Sequence, residues 1–229
     1  MDGNGRWARE RGFPRIRGHQ KGVENIREIV KAAIEQGIQY LTLYAFSKEN
    51  WARPRPEVEF LMNLLGQYLD SELEEMNAQG VRLQMIGKTE DLPEVIRKKI
   101  ERNVERTRGN QAVILNLALS YSSRLEIVEA VRGLCEEVLA GRLKPKEIDE
   151  AVFSKRLYTA GIPDPDLLIR TSGEMRVSNF LLWQISYTEI YVSEKYWPDF
   201  HREDFLKALG EYGKRERRFG KTENVRASS

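Results

Sequence analysis

Apolar positions along the chain alternate between two periods. Val23, Ile26, Val30, Ala33 and Ile34 fall three and four residues apart, the spacing of one helical face, and Gly37 is placed to end that helix. IQYLTLYAFS (38–47) is a nearly unbroken β-branched, aromatic and aliphatic run, which predicts a buried strand. The period turns helical again over 56–80, where Val58, Leu61, Leu64, Leu65, Tyr68 and Leu69 form a wide apolar face on one long helix. VRLQMIG (81–87) predicts a strand, 93–108 a charged helix, AVILNLALS (112–120) an apolar strand and 124–141 another helix. PDLLIRTSG (165–173) reads as a short strand running into a polar loop, TEIYVS (188–193) as another strand, and 202–220 as a closing helix.

This alternation predicts an α/β fold: one domain over residues 1–220, with a mostly parallel central sheet flanked by helices. KTENVRASS (221–229) reads as a disordered tail. Open parallel sheets bind ligands beyond the carboxyl ends of their strands. That rule singles out the polar segments SKENWARPRP, SYSSR and RTSGEMRVSN, with the opening loop DGNGRW beside them.

Composition narrows the function classes. The chain has 229 residues, 41% hydrophobic, with 37 basic against 35 acidic side chains. A net charge of +2 gives no global drive toward nucleic acid or an anionic membrane, so anion binding must come from local clusters. Cys135 stands alone, which rules out an internal disulfide framework and fits a reducing, cytoplasmic setting. No apolar run approaches the ~18 residues of a membrane span.

Three segments carry candidate chemistry, each with a plainer alternative. In DGNGRW the two glycines allow backbone amides to approach an anion, and Arg6, Arg15 and His19 can donate to phosphate oxygens. Asp2 among such donors makes sense if Mg²⁺ lies between it and the phosphate; otherwise the segment is a glycine turn with a capping aspartate. RTSGEMRVSN offers Arg170, Arg176 and Ser178 as a second diphosphate cradle, or else a solvated loop whose arginines pair with Glu174 or Asp166. FSKENWARPRP places Ser47, Glu49, Asn50, Trp51 and Arg53 after a strand, and spacing alone favours an Asn-rich turn with Trp51 in the core. No metal-ligand histidine cluster, Cys or Ser triad or Walker lysine is present, and no aromatic-basic interleaving suggests nucleic-acid binding. Two cradles and one carboxylate suggest a reaction between two phosphorylated substrates.

MDGNGRWA, RGH (17–19), YLTLYAFSKENWARP, AGIPDPDLLIRTSGEMRVSNFLLWQ, TEIYV and WPDF closely resemble the cis-prenyltransferases, the undecaprenyl diphosphate synthase family, from Met1 to about Gly220. The resemblance implies that family's fold with an apolar tunnel. It also implies repeated condensation of isopentenyl diphosphate onto an allylic starter, usually farnesyl diphosphate, to make the lipid carrier precursor for cell-wall synthesis. By position, Asp2 matches the Mg²⁺-binding aspartate and Glu189 a second Mg²⁺ ligand. Gly3, Asn4, Gly5 and Arg6 match the allylic diphosphate loop, completed by Trp7, Arg15 and His19. Ser47, Lys48 and Glu49 match a substrate-contact stretch, and Asn50, flanked by Trp51 and Arg53, matches the residue assigned to proton removal. An amide is hardly basic, so Asn50 is expected to orient substrate instead. Arg170, Arg176, Val177 and Ser178 match the isopentenyl diphosphate site. Arg218 and Gly220 match an element that reaches across a homodimer.

The tunnel walls are expected from 23–34, 58–73 and 113–119, and its lipid product suggests transient peripheral membrane contact. Two departures stand out. Family members carry an apolar strand ahead of the position of Asp2, so Met1 reads as an internal methionine of the family pattern. SYSSR (120–124) replaces the usual Asn-Tyr-Gly-Gly-Arg, and two serines for two glycines restrict the turn. A non-catalytic subunit of a heteromeric prenyltransferase is the alternative reading.

Overall fold

The computed structural model describes residues 1–215; Arg218, Gly220 and the tail 221–229 lie outside them. The most apolar run forms the centre. Strand β3 (Val113–Tyr121) is buried at every position except the half-buried Ile114. It lies between β1 (Tyr40–Ser47) and β2 (Val81–Ile86), parallel to both, in the order β1-β3-β2. A strand covered on both faces and both edges has no polar face to show, which is why AVILNLALS does not alternate. Strands β4 (Leu167–Arg170) and β5 (Glu189–Val192) form a second parallel pair. The parallel arrangement matches the sequence reading, but it comes as two separate sheets. No other strand of the described residues pairs with the outer edge of β1 or the outer edge of β4, and both strands border one cavity.

Helices α3 (Arg55–Ser71), α5 (Glu94–Thr107), α6 (Ser123–Leu139) and α8 (Arg202–Tyr212) follow the expected periodicity. The single helix expected over 56–80 is instead α3 followed by α4 (Leu73–Ala78), with a break at Glu72. Glu72 is buried, and its carboxylate accepts from Arg27 Nε at 2.6 Å and Nη2 at 2.5 Å. The bend lets Leu73 and Met76 join Leu69 in the core. Helix α7 (Glu150–Ser154) is too short to leave a periodic signature.

At the amino end the sequence reading missed the start of the helix that it placed over 23–34. Helix α1 (Asn4–Glu10) is followed by α2 (Arg15–Glu35), which begins eight residues before the first apolar marker, Val23. Charged residues, Gly18 and Gly22 fill that first stretch and hide its periodicity. The two glycines, one turn apart, are where α1 crosses. A Cβ on Gly18 would lie 1.9 Å from the Asn4 carbonyl oxygen, and one on Gly22 2.3 Å from Asn4 Oδ1. The crossing is fastened by Trp197, whose N–H donates to Asp2 O at 2.9 Å and whose Nε1 donates to Gly22 O at 2.7 Å. Asn25 Nδ2, buried beside them, donates to the carbonyls of Trp197 and Phe200.

Replacing Gly18 by Ala is expected to destabilise the protein by about 2 kcal/mol or more, because the clash is with backbone. Gly133 in α6 has open space around its Cβ position, so Gly133→Ala should stabilise by about 0.5–1 kcal/mol through helix propensity. Urea unfolding of both variants measures the contrast.

Candidate active site

The cavity bordered by β1 and β4 has a volume of about 1180 Å³. Its mouth is built from three segments, and the first is the loop into α1. Gly3 has φ +94°, and a Cβ there would fall 2.3 Å from Ser172 Oγ and 2.4 Å from the Tyr196 ring, so only glycine fits. Asp2 is anchored through its backbone, with N–H donating to Thr171 Oγ1 and the carbonyl accepting from the same hydroxyl, both at 3.0 Å. Its carboxylate accepts from the Gly3 N–H at 2.7 Å and from Arg170 Nη2 at 2.8 Å, with Arg6 at 3.6 Å. Burial alone would raise the Asp2 pKa, but the bonds from Arg170 and Gly3 outweigh it and hold the carboxyl below its ordinary value.

The second segment follows β4. Arg170 Nη1 donates to the Arg176 carbonyl at 2.7 Å and to Ser178 Oγ at 3.0 Å. Ser172, Ser178, Asn179 and Leu181 all have positive φ, four of the five such non-glycine residues among those described. Left-handed backbone in non-glycine residues is costly and collects at functional loops. Glu174 bridges the two segments: its carboxylate accepts from Arg6 Nη1 at 2.7 Å and from Arg176. The pairing with Glu174 and the clustering of the arginines, alternatives in the sequence, therefore both occur.

The third segment is the 3-10 turn Lys48–Ala52 after β1. Asn50 Oδ1 accepts from the Ser47 N–H at 3.1 Å. With that oxygen engaged, the side chain has its amide N–H groups left to donate, and an amide is hardly a base. Glu49 accepts from Asn179 Nδ2 at 2.7 Å, and the same amide donates to Ser122 Oγ at 2.8 Å. Glu57, at the start of α3, gathers Arg15 and Arg53, each at 3.1 Å, with His19 Nε2 at 3.7 Å.

Most of the expected residues meet at this cavity. Asp2, Gly3, Asn4, Gly5 and Arg6 line it from the first segment, with Arg15 and His19 from α2. Ser47, Glu49, Asn50 and Arg53 line it from the turn, and Arg170, Val177 and Ser178 from the β4 side. Lys48 and Trp51 are not on its wall: Lys48 Nζ reaches Asp91 at 2.7 Å and Trp51 Nε1 donates to Ser120 Oγ at 2.9 Å. Trp7 donates to Asp199 Oδ1 at 2.7 Å under the Arg11 guanidinium, and so docks α1 without lining the cavity. Arg176 is not on the wall either; its guanidinium donates to Glu174.

Glu189 lies on β5, off the cavity wall, and accepts from Arg215 at 2.7 Å. Among the described residues no three His, Cys, Asp or Glu side chains converge as a metal cluster. Asp2 by itself suits Mg²⁺, which is commonly held by one or two carboxylates together with phosphate oxygens. The apolar wall takes Ile29 from α2 and Leu61 from α3, as expected, but nothing from 113–119. Strand β3 is covered by its two neighbours, so Leu41 and Leu43 of β1 line the cavity instead.

The sequence model of the undecaprenyl diphosphate synthase family matches residues 1–220. The chain belongs to this family. It is 52% identical over 222 residues to an isoprenyl transferase of Geobacter sulfurreducens, covering 97% of this chain and 90% of that one. It is 47% identical over 220 residues to a farnesyl-diphosphate-specific ditrans,polycis-undecaprenyl-diphosphate synthase of Legionella pneumophila, covering 96% and 92%. Among solved structures it resembles lavandulyl diphosphate synthase of Lavandula x intermedia in complex with dimethylallyl diphosphate, at TM-score 0.93 and 40% identity over 96% of this chain and 95% of that one.

Within this family fold, sequence reading missed Thr171, Glu57 and Asn179, which position Asp2, the arginines Arg15 and Arg53, and Glu49. Only Asn179 left a signal, since asparagine is one of the few residues that tolerate φ of +60°. The serines that replace two glycines in SYSSR need no glycine-like backbone: Ser122, at φ −153°, caps α6 by accepting from Leu125 N–H, and Ser123 begins the helix. Tyr44 and Phe180, stacked at 4.4 Å between ring centroids, both line the cavity.

Burial, followed by the charges of Arg53 and Arg15, lowers the His19 pKa to about 4 against the pull of Glu57. The imidazole is therefore neutral at neutral pH. From pH 6.5 down to about 4, the unfolded chain takes up a proton at this position that the folded chain refuses, so this residue lowers stability as pH falls through that window. With two histidines in the chain, an NMR titration resolves His19 readily. It should titrate near 4 in the free protein and at least a unit higher with saturating inorganic diphosphate, whose charge favours imidazolium.

Proposed function

We propose that this protein is a cis-prenyltransferase that condenses isopentenyl diphosphate repeatedly onto an allylic diphosphate, farnesyl diphosphate by preference, to make undecaprenyl diphosphate. The carrying observation is that one cavity joins two arginine-lined cradles and the Asn50 turn to an apolar wall. The names of the 52% and 47% identical relatives support the same reading.

The allylic diphosphate takes the loop of Gly3, Gly5 and Arg6 with Arg15, Arg53 and His19, and displaces Glu57 from the guanidiniums. Isopentenyl diphosphate takes Arg170, Arg176 and Ser178. Asp2 would hold Mg²⁺, which when bound adds positive charge beside the leaving diphosphate. The allylic C1–O bond breaks with its electron pair going to diphosphate, and the arginines stabilise that charge as it develops. C4 of isopentenyl diphosphate bonds to C1, and the proton lost from C2 goes to a released diphosphate oxygen or a water. Asn50, donating from its amide nitrogen, orients isopentenyl diphosphate for this step.

The lengthening tail leaves water for the apolar wall, gaining ~0.8 kcal/mol per buried CH₂. Homodimerisation and transient contact with a membrane that accepts the product complete the reading; no helix of the described residues is long and apolar enough to cross a membrane.

The test incubates the protein with farnesyl diphosphate, isopentenyl diphosphate and Mg²⁺, and sizes the products by mass spectrometry beside an Asp2→Ala control. A ladder ending near eleven isoprene units, lost in the control and on chelation, is expected. A single product one five-carbon unit longer than the starter would instead favour short-chain coupling, and silence would favour a non-catalytic subunit. Asn50→Ala should lower kcat about a hundredfold with KM nearly unchanged; an equal rise in KM would remove the orienting role.

A further inference from the structure

The Asn50 turn is held from behind. Ser47, Glu49, Asn50 and Arg53 face the cavity, while the two residues that flank the others, Lys48 and Trp51, are bonded away from it. Their bonds converge on a single carboxylate. Asp91, in the 3-10 turn after β2 (Thr89–Asp91), accepts from Lys48 Nζ at 2.7 Å and from Ser120 Oγ at 2.6 Å. Ser120 accepts in turn from Trp51 Nε1 at 2.9 Å. Neither Asp91 nor Ser120 lines the cavity.

We propose that Asp91 is a positioning residue for prenyl transfer, fixing the Asn50 turn directly through Lys48 and indirectly through Ser120 and Trp51. Direction and backbone both support this. A Ser hydroxyl that donates to Asp91 has its lone pairs free for the indole N–H, so the order of donors along the chain of bonds is fixed: Trp51 to Ser120 to Asp91. Ser120 is fully buried and sits at φ +46°, a conformation that costs a β-carbon residue energy and is kept only where its surroundings demand it. Burial would raise the Asp91 pKa, yet the bonds from Lys48 and Ser120 bring it below the ordinary value, so it stays an ionised acceptor at neutral pH. The Trp51 ring meets Phe46 of β1 edge-on at 5.0 Å, which leaves its N–H as the polar handle that sets ring rotation. Asn50, bonded to Ser47 on one side, has its place between these two anchors.

The inference rests on the prenyl-transfer reading and is tested with the whole protein. Asp91→Ala should lower kcat about tenfold, as expected for losing charge-assisted bonds, with KM for both diphosphates within about twofold. Asp91→Asn, which keeps an acceptor oxygen, should recover most of kcat. The chain has four tryptophans, so the indole N–H peak of Trp51, assigned by Trp51→Phe, can be followed in a ¹⁵N spectrum and should move in Asp91→Ala and in Ser120→Ala. If Asp91→Ala does not fold, Ser120→Ala carries the same expectations for kcat, KM and the indole peak. Unchanged kcat, a KM rise matching the kcat loss, or an unmoved indole peak each overturns the proposal. If wild-type protein makes no prenyl product the functional reading fails first, while the indole peak still reports whether Asp91 anchors Trp51.

Discussion

The site depends on how closely α1 lies on α2. That approach requires the absence of two β-carbons, at Gly18 and Gly22, because the Asn4 carbonyl and side chain occupy the space they would take. Everything the first segment contributes follows from this contact. It sets Gly3 against Ser172 and Tyr196, brings the Asp2 backbone onto Thr171 and Trp197, and places Arg6 within reach of Glu174. Each fastening crosses more than a hundred residues of sequence, so the loop is positioned by tertiary structure and not by its own turn preference. A seven-residue helix has little stability by itself; docked here, it carries one side of the cavity.

Charge balance is the second constraint. Guanidiniums gathered around one cavity repel one another, and the protein holds them with carboxylates: Arg170 with Asp2, Arg6 and Arg176 with Glu174, Arg15 and Arg53 with Glu57. Removing a carboxylate without supplying another anion would leave like charges unpaired. An arriving diphosphate is such an anion, so binding exchanges one set of ion pairs for another and orders few side chains anew. The neutral His19 fits the same logic, since a further positive charge between Arg15 and Arg53 would have only Glu57 to offset it.

Much of this was legible in the sequence, for reasons that differ by segment. The strands 38–47, 81–87 and 112–120 and the helices after them are marked by long apolar runs whose period depends on backbone geometry alone, and they appear where expected apart from the break at Glu72 that divides the segment 56–80 into two helices. The loops that meet at the cavity stood out because glycine, arginine and serine are concentrated in them. The first half of α2 was not, because the glycines that admit α1 also erase the apolar stripe. Nor could the sequence tell which residues of KENWA face the cavity. A five-residue 3-10 turn has no readable period, so Lys48 looked equivalent to Glu49 and Asn50 until its partner Asp91 was in view, whereas the core place that spacing favoured for Trp51 is where its ring packs.

The cavity divides by depth, and that division decides which way a growing chain can move. It runs along β1 from Gly37 to Ser47, and the eight residues of that strand alone span about 26 Å at ~3.3 Å each. Arg170, Ser178, Asn50 and Asp2 sit at the carboxyl end of the strands, where charge is handled. Ile29, Leu61, Phe205 and Leu209 line the remainder from α2, α3 and α8. A diphosphate bound at the charged end therefore points its hydrocarbon toward the helices, and each added unit moves more methylene surface out of water in that direction. Reversing the substrate would put the tail among guanidiniums and the diphosphate among leucines, a double desolvation that neither end can offset. The polarity of the strands thus sets the polarity of the cavity, with its charged groups gathered at their carboxyl end and its apolar wall along the rest.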